Sequence, residues 1–322
     1  MKIAFTICSA NYLPYAISLG DSVVSHNPGY TFIIVLLDQV PPKLPPIQHR
    51  LIPVEELSIP HFAEMNKRYN IFQLSCALKS FVALKLYTTE KDWTALLYFD
   101  CDMLVFDKLS LAENELSSCS ILITPHLSSP IAYKGKPQDE QMMLIAGIFN
   151  AGFFGLSRND ESLLFLNWWS ERMREYCYND PFKGFMVDQV WLNFVPVLFK
   201  QSKVLDNPGY NLAYWNLGER VLSKKGNGYF VNNDFPLVLL HYSGFDIHDR
   251  SMLSKYNKVY TFKKAPELIP LFDLYADSAL KNNNGYDLFS IKPAFGTSPG
   301  AGVVPRKKKS VLKKTIKKWF KK

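Results

Sequence analysis

Two carboxylates one residue apart, Asp100 and Asp102, follow the apolar run Leu96-Leu97-Tyr98-Phe99. In an extended chain alternate side chains share a face, so both acids would point one way and Cys101 the other. Oxygen donors so placed suit a hard divalent cation, Mg²⁺ or Mn²⁺, which commonly shares its remaining coordination with substrate phosphates. A solvated turn after a strand would carry the same three residues. His241 follows Pro236-Leu237-Val238-Leu239-Leu240, a run without an ionisable group. A neutral imidazole emerging there could complete a metal site, or could cap a buried strand. Asn150 stands in Phe149-Asn150-Ala151-Gly152, where small neighbours let backbone approach a ligand and the amide both donates and accepts. That pairing suits sugar hydroxyls, and an ordinary turn would use it too. Asp188 and Gln189 sit side by side near the start of an apolar run, where an acid either meets a helix dipole or does chemistry. Lys79 is a single cation in an apolar helical stretch, able to reach a phosphate or to snorkel to solvent.

The elements that would position these residues follow from periodicity. Residues 2–9 read as a buried strand, 13–26 as an amphipathic helix stopped by Asn27-Pro28-Gly29, and 31–37 as a second strand. Strand, helix, strand opens a doubly wound sheet, whose ligands sit beyond the carboxyl ends of the strands, here residues 8–12 and Asp38. Helical patterns are expected over 60–69 and 71–87, strands over 94–99, 120–124 and 149–156, and helices over 160–176 and 186–194. An Asn/Tyr/Trp-rich loop covers 207–216, a short strand 236–240 and a last helix 266–280. The expected fold class is therefore α/β, with 1–281 as the catalytic domain. Residues 282–305 are expected to be a flexible linker, the Pro, Gly, Ser and Ala of 292–305 giving no core to pack.

With 322 residues, 48% of them hydrophobic, the chain can bury a sizeable core. The net charge of +8 is local: residues 306–322 hold ten of the 37 Lys/Arg and none of the 29 Asp/Glu. A near-neutral body argues against nucleic acid as a partner. Within the tail, Val311, Leu312, Thr315, Ile316, Trp319 and Phe320 recur at helical spacing with lysines on the other face. This pattern predicts an amphipathic helix over 306–322 that lies on an anionic membrane surface. Five scattered cysteines and the absence of a C-x-x-C pair suit a reducing cytosol without a disulfide framework or a thiolate zinc site. No apolar stretch approaches the roughly 20 residues of a span, and Asn11 interrupts the first apolar run before a signal-peptide core could form. The expected location is cytoplasmic, peripheral to the inner face of the cell membrane.

In order and spacing, the first strand and turn, the helix with Lys79, Tyr98-Phe99-Asp100-Cys101-Asp102, Phe149-Asn150-Ala151-Gly152-Phe153, Val187-Asp188-Gln189 and His241-Tyr242-Ser243-Gly244 resemble the family 8 glycosyltransferases. The resemblance spans roughly residues 3–250. It implies a GT-A-type mixed, mainly parallel sheet with flanking helices, and transfer of a hexose with retention of configuration. The donor would be a nucleotide-sugar, a UDP-sugar in the first instance. The acceptor would be a glycan, including a lipid-linked cell-surface polysaccharide or lipopolysaccharide. By the same resemblance Asp100, Asp102 and His241 would ligate Mn²⁺ or Mg²⁺ bridging the donor diphosphate. Ala10, Asn11, Tyr12 and Asp38 would line the nucleotide pocket, and Lys79 would lie near the diphosphate and donor sugar. Asn150, Asp188 and Gln189 would face the transferred sugar and the acceptor. One departure is visible: where the family carries a Lys-Pro-Trp-like stretch after His-x-x-Gly, this chain reads Phe245-Asp246-Ile247-His248-Asp249 and lacks the phosphate-binding lysine. A nucleotidyltransferase could share the sheet and carboxylates, but its glycine-rich, arginine-containing loop is absent from Cys8-Ser9-Ala10-Asn11-Tyr12. A catalytically inactive membrane adaptor of the same fold is the non-enzymatic alternative.

Overall fold

Apolar, β-branched runs pair early in the chain because both of their faces can be buried. In the computed structural model, which describes residues 1–131 and 138–299, β1 (Lys2–Cys8) leads through a 3-10 turn at Ala10–Tyr12 into α1 (Leu13–His26) and then β2 (Tyr30–Leu36). β3 (Arg50–Pro53), α2 (Phe62–Arg68) and α3 (Ile71–Thr89) follow. Asn70 starts α3 as a capping box: its side chain accepts from the Gln73 N–H while Gln73 reaches back to the Asn70 N–H. Next come β4 (Ala95–Phe99), β5 (Met103–Val105), α4 (Ser110–Leu116), β6 (Ile121–Pro125), α5 (Gln138–Ala146), β7 (Phe149–Leu156) and α6 (Asp160–Tyr176). The remaining elements are β8 (Asn179–Asp180), β9 (Phe185–Met186), α7 (Val195–Leu198), β10 (Ser202–Val204), β11 (Leu222–Lys225), β12 (Gly228–Val231), β13 (Phe235–Pro236), β14 (Leu239–His241) and α8 (Ile269–Asn283).

The central sheet has seven strands in the order β10-β6-β7-β4-β1-β2-β3. β1 pairs in parallel with β2 and β4, β2 with β3, and β10 with β6; β7 alone runs antiparallel, between β4 and β6. The result is a mixed, mainly parallel sheet with helices on both faces. One core packs α3 and α6 on one face, around Leu78, Val82, Phe154 and Trp169; the other packs α1 and α4 on the opposite face, around Leu19, Val23, Leu97 and Phe153. A smaller cluster joins α8 to β14. Among the described residues no helix is long and apolar enough to cross a membrane, and all five cysteines are free.

Four expectations change. Residues 100–102 form a turn between β4 and β5 rather than an extension of the strand. Residues 186–194 are not one helix: Phe185–Met186 pairs with β8, Val187 adopts φ 45°, and a 3-10 helix covers Gln189–Phe194. A β-branched residue at positive φ breaks helical propagation, and burial of Val187 together with its N–H bond to the Tyr178 carbonyl (2.8 Å) holds it there. The run 236–240 splits, β13 pairing with β12 and β14 with β5. Finally, the stretch 282–305 is not a free linker as far as it is described. Leu288 is buried, the Ala294 N–H bonds Asp38 Oδ1 (3.0 Å), the Gly296 N–H bonds Asn66 Oδ1 (2.6 Å), Phe295 packs on Phe62, and Thr297 bridges Asn70. Backbone hydrogen bonds and two apolar side chains suffice to dock a segment whose composition alone promised no core. The helix expected over 306–322 lies outside the described residues.

Candidate active site

The site forms where β4 ends. β7 runs antiparallel beside it, pairing Phe153 with Phe99, and the Asp100 N–H bonds the Gly152 carbonyl at 2.7 Å. After the Asp100-Cys101-Asp102 turn, β5 pairs antiparallel with β14, placing His241 opposite Met103, and the Tyr242 N–H bonds the Asp102 carbonyl at 2.8 Å. A short two-stranded ladder thus carries a histidine across 139 positions of sequence to the acids. Ligand atoms of Asp100, Asp102 and His241 all lie within 4.8 Å of one another.

Buried amides determine which atoms face this cluster. Asn150 Oδ1 accepts from the Gly152 N–H (3.0 Å), a donor that cannot be reassigned. The Asn211 group facing that same oxygen at 3.1 Å must then be its Nδ2, which leaves Asn211 Oδ1 turned to His241 Nδ1 at 3.2 Å. An acceptor there requires a proton on Nδ1, so the neutral imidazole presents the bare Nε2 to Asp102 Oδ1, 3.1 Å away. Two acceptors at that distance call for a proton or a cation between them. The other side of Asn150 is also spoken for: Nδ2 faces His126 Nε2 (3.2 Å) and Gln189 Oε1 (3.4 Å). His126 accepts there and turns Nδ1 to the Ile148 carbonyl (3.3 Å), and burial pushes its imidazole down to about 4. Trp215 stands edge-on to both imidazoles, with ring centroids 5.4 and 5.0 Å away. Asn211 supports this from φ 58°, a left-handed conformation that Asn tolerates better than most residues. Gly152 is required by close approach: a Cβ there would lie 2.7 Å from Asn150 Oδ1 and 2.8 Å from His241 Cε1.

At the opposite end, Lys79 projects from α3 toward β7 and the end of β4 and is buried. Its ammonium lies 2.9 Å from Asp100, 3.0 Å from Asp188 and 3.2 Å from the Ala151 carbonyl, so its three donors are used. Burial alone would lower the lysine's pKa, but the two carboxylates outweigh it and hold the group well above its ordinary value. Burial raises Asp188, and Lys79 only partly offsets this. Asp102 moves the other way: burial would raise it, but backbone donors and a proton held between it and His241 Nε2, which a bound cation would replace, keep it below the usual carboxylate range.

The structure therefore brings Asp100, Asp102, His241, Lys79, Asp188, Asn150 and Gln189 together, with changed parts for three of them. Lys79 neutralises carboxylates rather than reaching outward for a phosphate. Asn150 has its hydrogen-bonding capacity taken up within the protein, and Gln189 spends its Nε2 on the Ala146 carbonyl (2.8 Å). Of the expected nucleotide-pocket residues, Ala10 is buried, Asn11 Oδ1 accepts from Ser9 Oγ (2.6 Å), and Tyr12 is exposed. Asp38 is buried and binds the N–H groups of Ala10, Gln39 and Ala294, so it clamps the ends of β1 and β2 to the C-terminal segment. His126 and Asn211 escaped the sequence reading. Their only signal was position, beside a strand end and inside the polar loop 207–216, because the partners that give them meaning are distant in sequence.

No protein-family profile matches the chain. Two uncharacterised proteins of Bacillus subtilis strain 168 are similar: YfnF, 26% identical over 247 residues (75% of this chain, 81% of that protein), and YfnD, 22% identical over 252 residues (75% and 77%). Among solved structures, the galactosyltransferase LgtC in complex with donor and acceptor sugar analogs superposes with a TM-score of 0.48 at 16% identity, covering 86% of this chain and 96% of that one. The bifunctional glycosyltransferase WbbM gives 0.48 at 13% (89% and 51%), and mouse xyloside xylosyltransferase 1 gives 0.39 at 12% (66% and 88%).

Proposed function

We propose that the chain is a glycosyltransferase of the GT-A type that moves a hexose from a UDP-sugar to a glycan acceptor. The observation that carries this reading is the convergence of Asp100, Asp102 and His241 at the strand ends, with the His241 Nε2 left as an acceptor against a carboxylate. That donor set fits Mn²⁺ or Mg²⁺ through two carboxylates and a neutral imidazole. Once bound, the ion would supply positive charge for the leaving diphosphate. The family 8 motif order supports the same reading. It extends to retention of configuration, and to Ala10, Asn11 and Tyr12 beside the nucleotide.

Within this reading the protein's own groups divide the work. Lys79 keeps two acids of the floor compatible with an anionic substrate, because an ammonium between Asp100 and Asp188 cancels charge that would repel a diphosphate. Asp188 is the carboxylate that meets the positive charge developing on the sugar, and Gln189 adjoins it. Asn150 and Asn211 act as positioning residues that hold the His241 ring. The lysine-rich tail would keep the enzyme on the inner face of the cell membrane, near a lipid-linked acceptor; removal of 306–322 should then release the protein from anionic liposomes.

The test of turnover is UDP release from a panel of UDP-hexoses with Mn²⁺, the protein set beside Asp188→Asn. Metal-dependent release that falls at least a hundredfold in the variant is expected. Release of pyrophosphate from a nucleoside triphosphate and a sugar phosphate, without UDP release, would instead make the protein a nucleotidyltransferase.

A further inference from the structure

The hairpin formed by β8 and β9 ends in a tip that the chemistry of the site leaves unexplained. Pro181–Lys183 makes a single 3-10 turn closed by Gly184 at φ 80°. At that tip Phe182 is exposed to 103% of its reference area, the most exposed large apolar side chain among the described residues. Hydrophobic surface left open at a convex tip has no partner in the fold. Behind the tip a ladder of rings continues the apolar surface: Phe185 stacks on Tyr176 at 6.0 Å and 3°, Tyr176 lies 6.1 Å from Trp191, and Trp191 lies 6.5 Å from Phe194. Tyr176 and Phe194 are themselves exposed. Cations border the ladder, Arg172 over Trp168 at 4.9 Å and Lys183 within the tip, each also paired at 2.7 Å with an acid, Glu171 and Asp180 respectively.

We infer that this hairpin and its ring ladder form a second membrane contact, one on the folded body, that inserts Phe182 into the interface of an anionic lipid bilayer. A protruding phenyl between a proline and a lysine suits a deformable lipid surface, where the ring enters the acyl boundary and the ammonium stays with the headgroups. Where the chain goes next also favours lipid. Thr297 bridges Asn70, the Tyr69 ring lies 5.6 Å from Tyr178, and Tyr178 lies 5.9 Å from Phe185. The described chain thus passes Asn70, whose neighbour Tyr69 is two ring contacts from Phe185, and the sequence that follows carries the ten basic residues of 306–322. The hairpin closes through the Val187 N–H to the Tyr178 carbonyl (2.8 Å), and Asp188 and Gln189 follow at once, so this contact would face the acceptor side of the site toward the membrane. That last point alone rests on the glycosyltransferase reading.

The test uses the full chain and vesicles of equimolar phosphatidylglycerol and phosphatidylcholine, with high salt to screen the tail. Phe182→Ser should bind about tenfold more weakly. Phe182→Trp should bind normally and show fluorescence quenching by brominated acyl chains beyond the wild-type level. Equal binding of Phe182→Ser, or no added quenching in Phe182→Trp, would overturn the inference. So would concentration-dependent dimerisation abolished by Phe182→Ser, which would assign the face to a second copy. UDP binding with Mn²⁺, measured on the same preparations, reports on the active-site reading independently, since Phe182 touches none of its residues.

Discussion

At one end of the site floor Asp188 has a resident cation, the Lys79 ammonium at 3.0 Å, whereas at the other Asp102 faces His241 Nε2 at 3.1 Å across a gap that a proton or a metal ion must bridge. Both acids lie against buried surroundings, yet their affinities for protons diverge, Asp188 pushed up and Asp102 held down. Asp100 belongs to both ends, ion-paired with Lys79 and within reach of His241. The difference teaches how one floor can hold three carboxylates. A covalently attached cation offsets one of the two inner charges permanently, and the outer position stays open to an exchangeable ion.

Lys79→Met should break the inner end outright. The buried Asp188 and the half-buried Asp100 would lose their counter-charge, at a cost of about 3–5 kcal/mol in urea unfolding. Adding Asp188→Leu should recover part of that loss, because it removes one of the stranded charges. If Lys79→Met unfolds at the wild-type urea concentration, the inner pair is not held by charge balance.

The outer end depends on amides whose far terminus is His126. Its imidazole titrates at about 4 in the fold against 6.5 when free. The unfolded chain therefore takes up the proton first. This contribution to stability is complete above about pH 6.5 and is lost as the pH falls toward 4, by about 3 kcal/mol in all. His126→Gln should flatten the pH dependence of unfolding over that window, and an unchanged slope would show that the network tolerates imidazolium.

Smaller effects sharpen the contrast. Gly152→Ala should cost about 2 kcal/mol through its clash with Asn150 and His241, and should impair the outer end while the Lys79 ion pairs persist. Asn211→Leu should weaken Mn²⁺ binding about tenfold, since nothing would then fix the proton on His241 Nδ1. Equal Mn²⁺ affinity in Asn211→Leu would mean that packing against Trp215 alone orients the ring.

The elements around the site were largely legible in the sequence where periodicity was long and uninterrupted. Helix 13–26 and strand 149–156 match the observed α1 and β7, because stop signals or flanking polar residues bound them on both sides. The apolar run at 186–194 misled because strand, turn and helix all accept such residues, and only the buried carbonyl of Tyr178 selects the left-handed Val187. Asp100, Asp102 and His241 are recognisable as a set through the motif order, although strand alternation alone does not explain their convergence. They meet through a turn and the β5–β14 ladder rather than along one extended strand. Composition could not reveal the docking of residues 288–297, since the Asp38 and Asn66 side chains that capture them are far away in sequence.

The central claim is that Asp100, Asp102 and His241 form an exchangeable cation site for a nucleotide diphosphate. Calorimetric titration of UDP into the purified protein, with and without Mn²⁺ and beside Asp102→Asn, tests it most directly. The account predicts binding that requires Mn²⁺ and falls at least tenfold in the variant. Binding of equal strength in the absence of metal, or an Asp102→Asn protein that responds to Mn²⁺ as the wild type does, would contradict it.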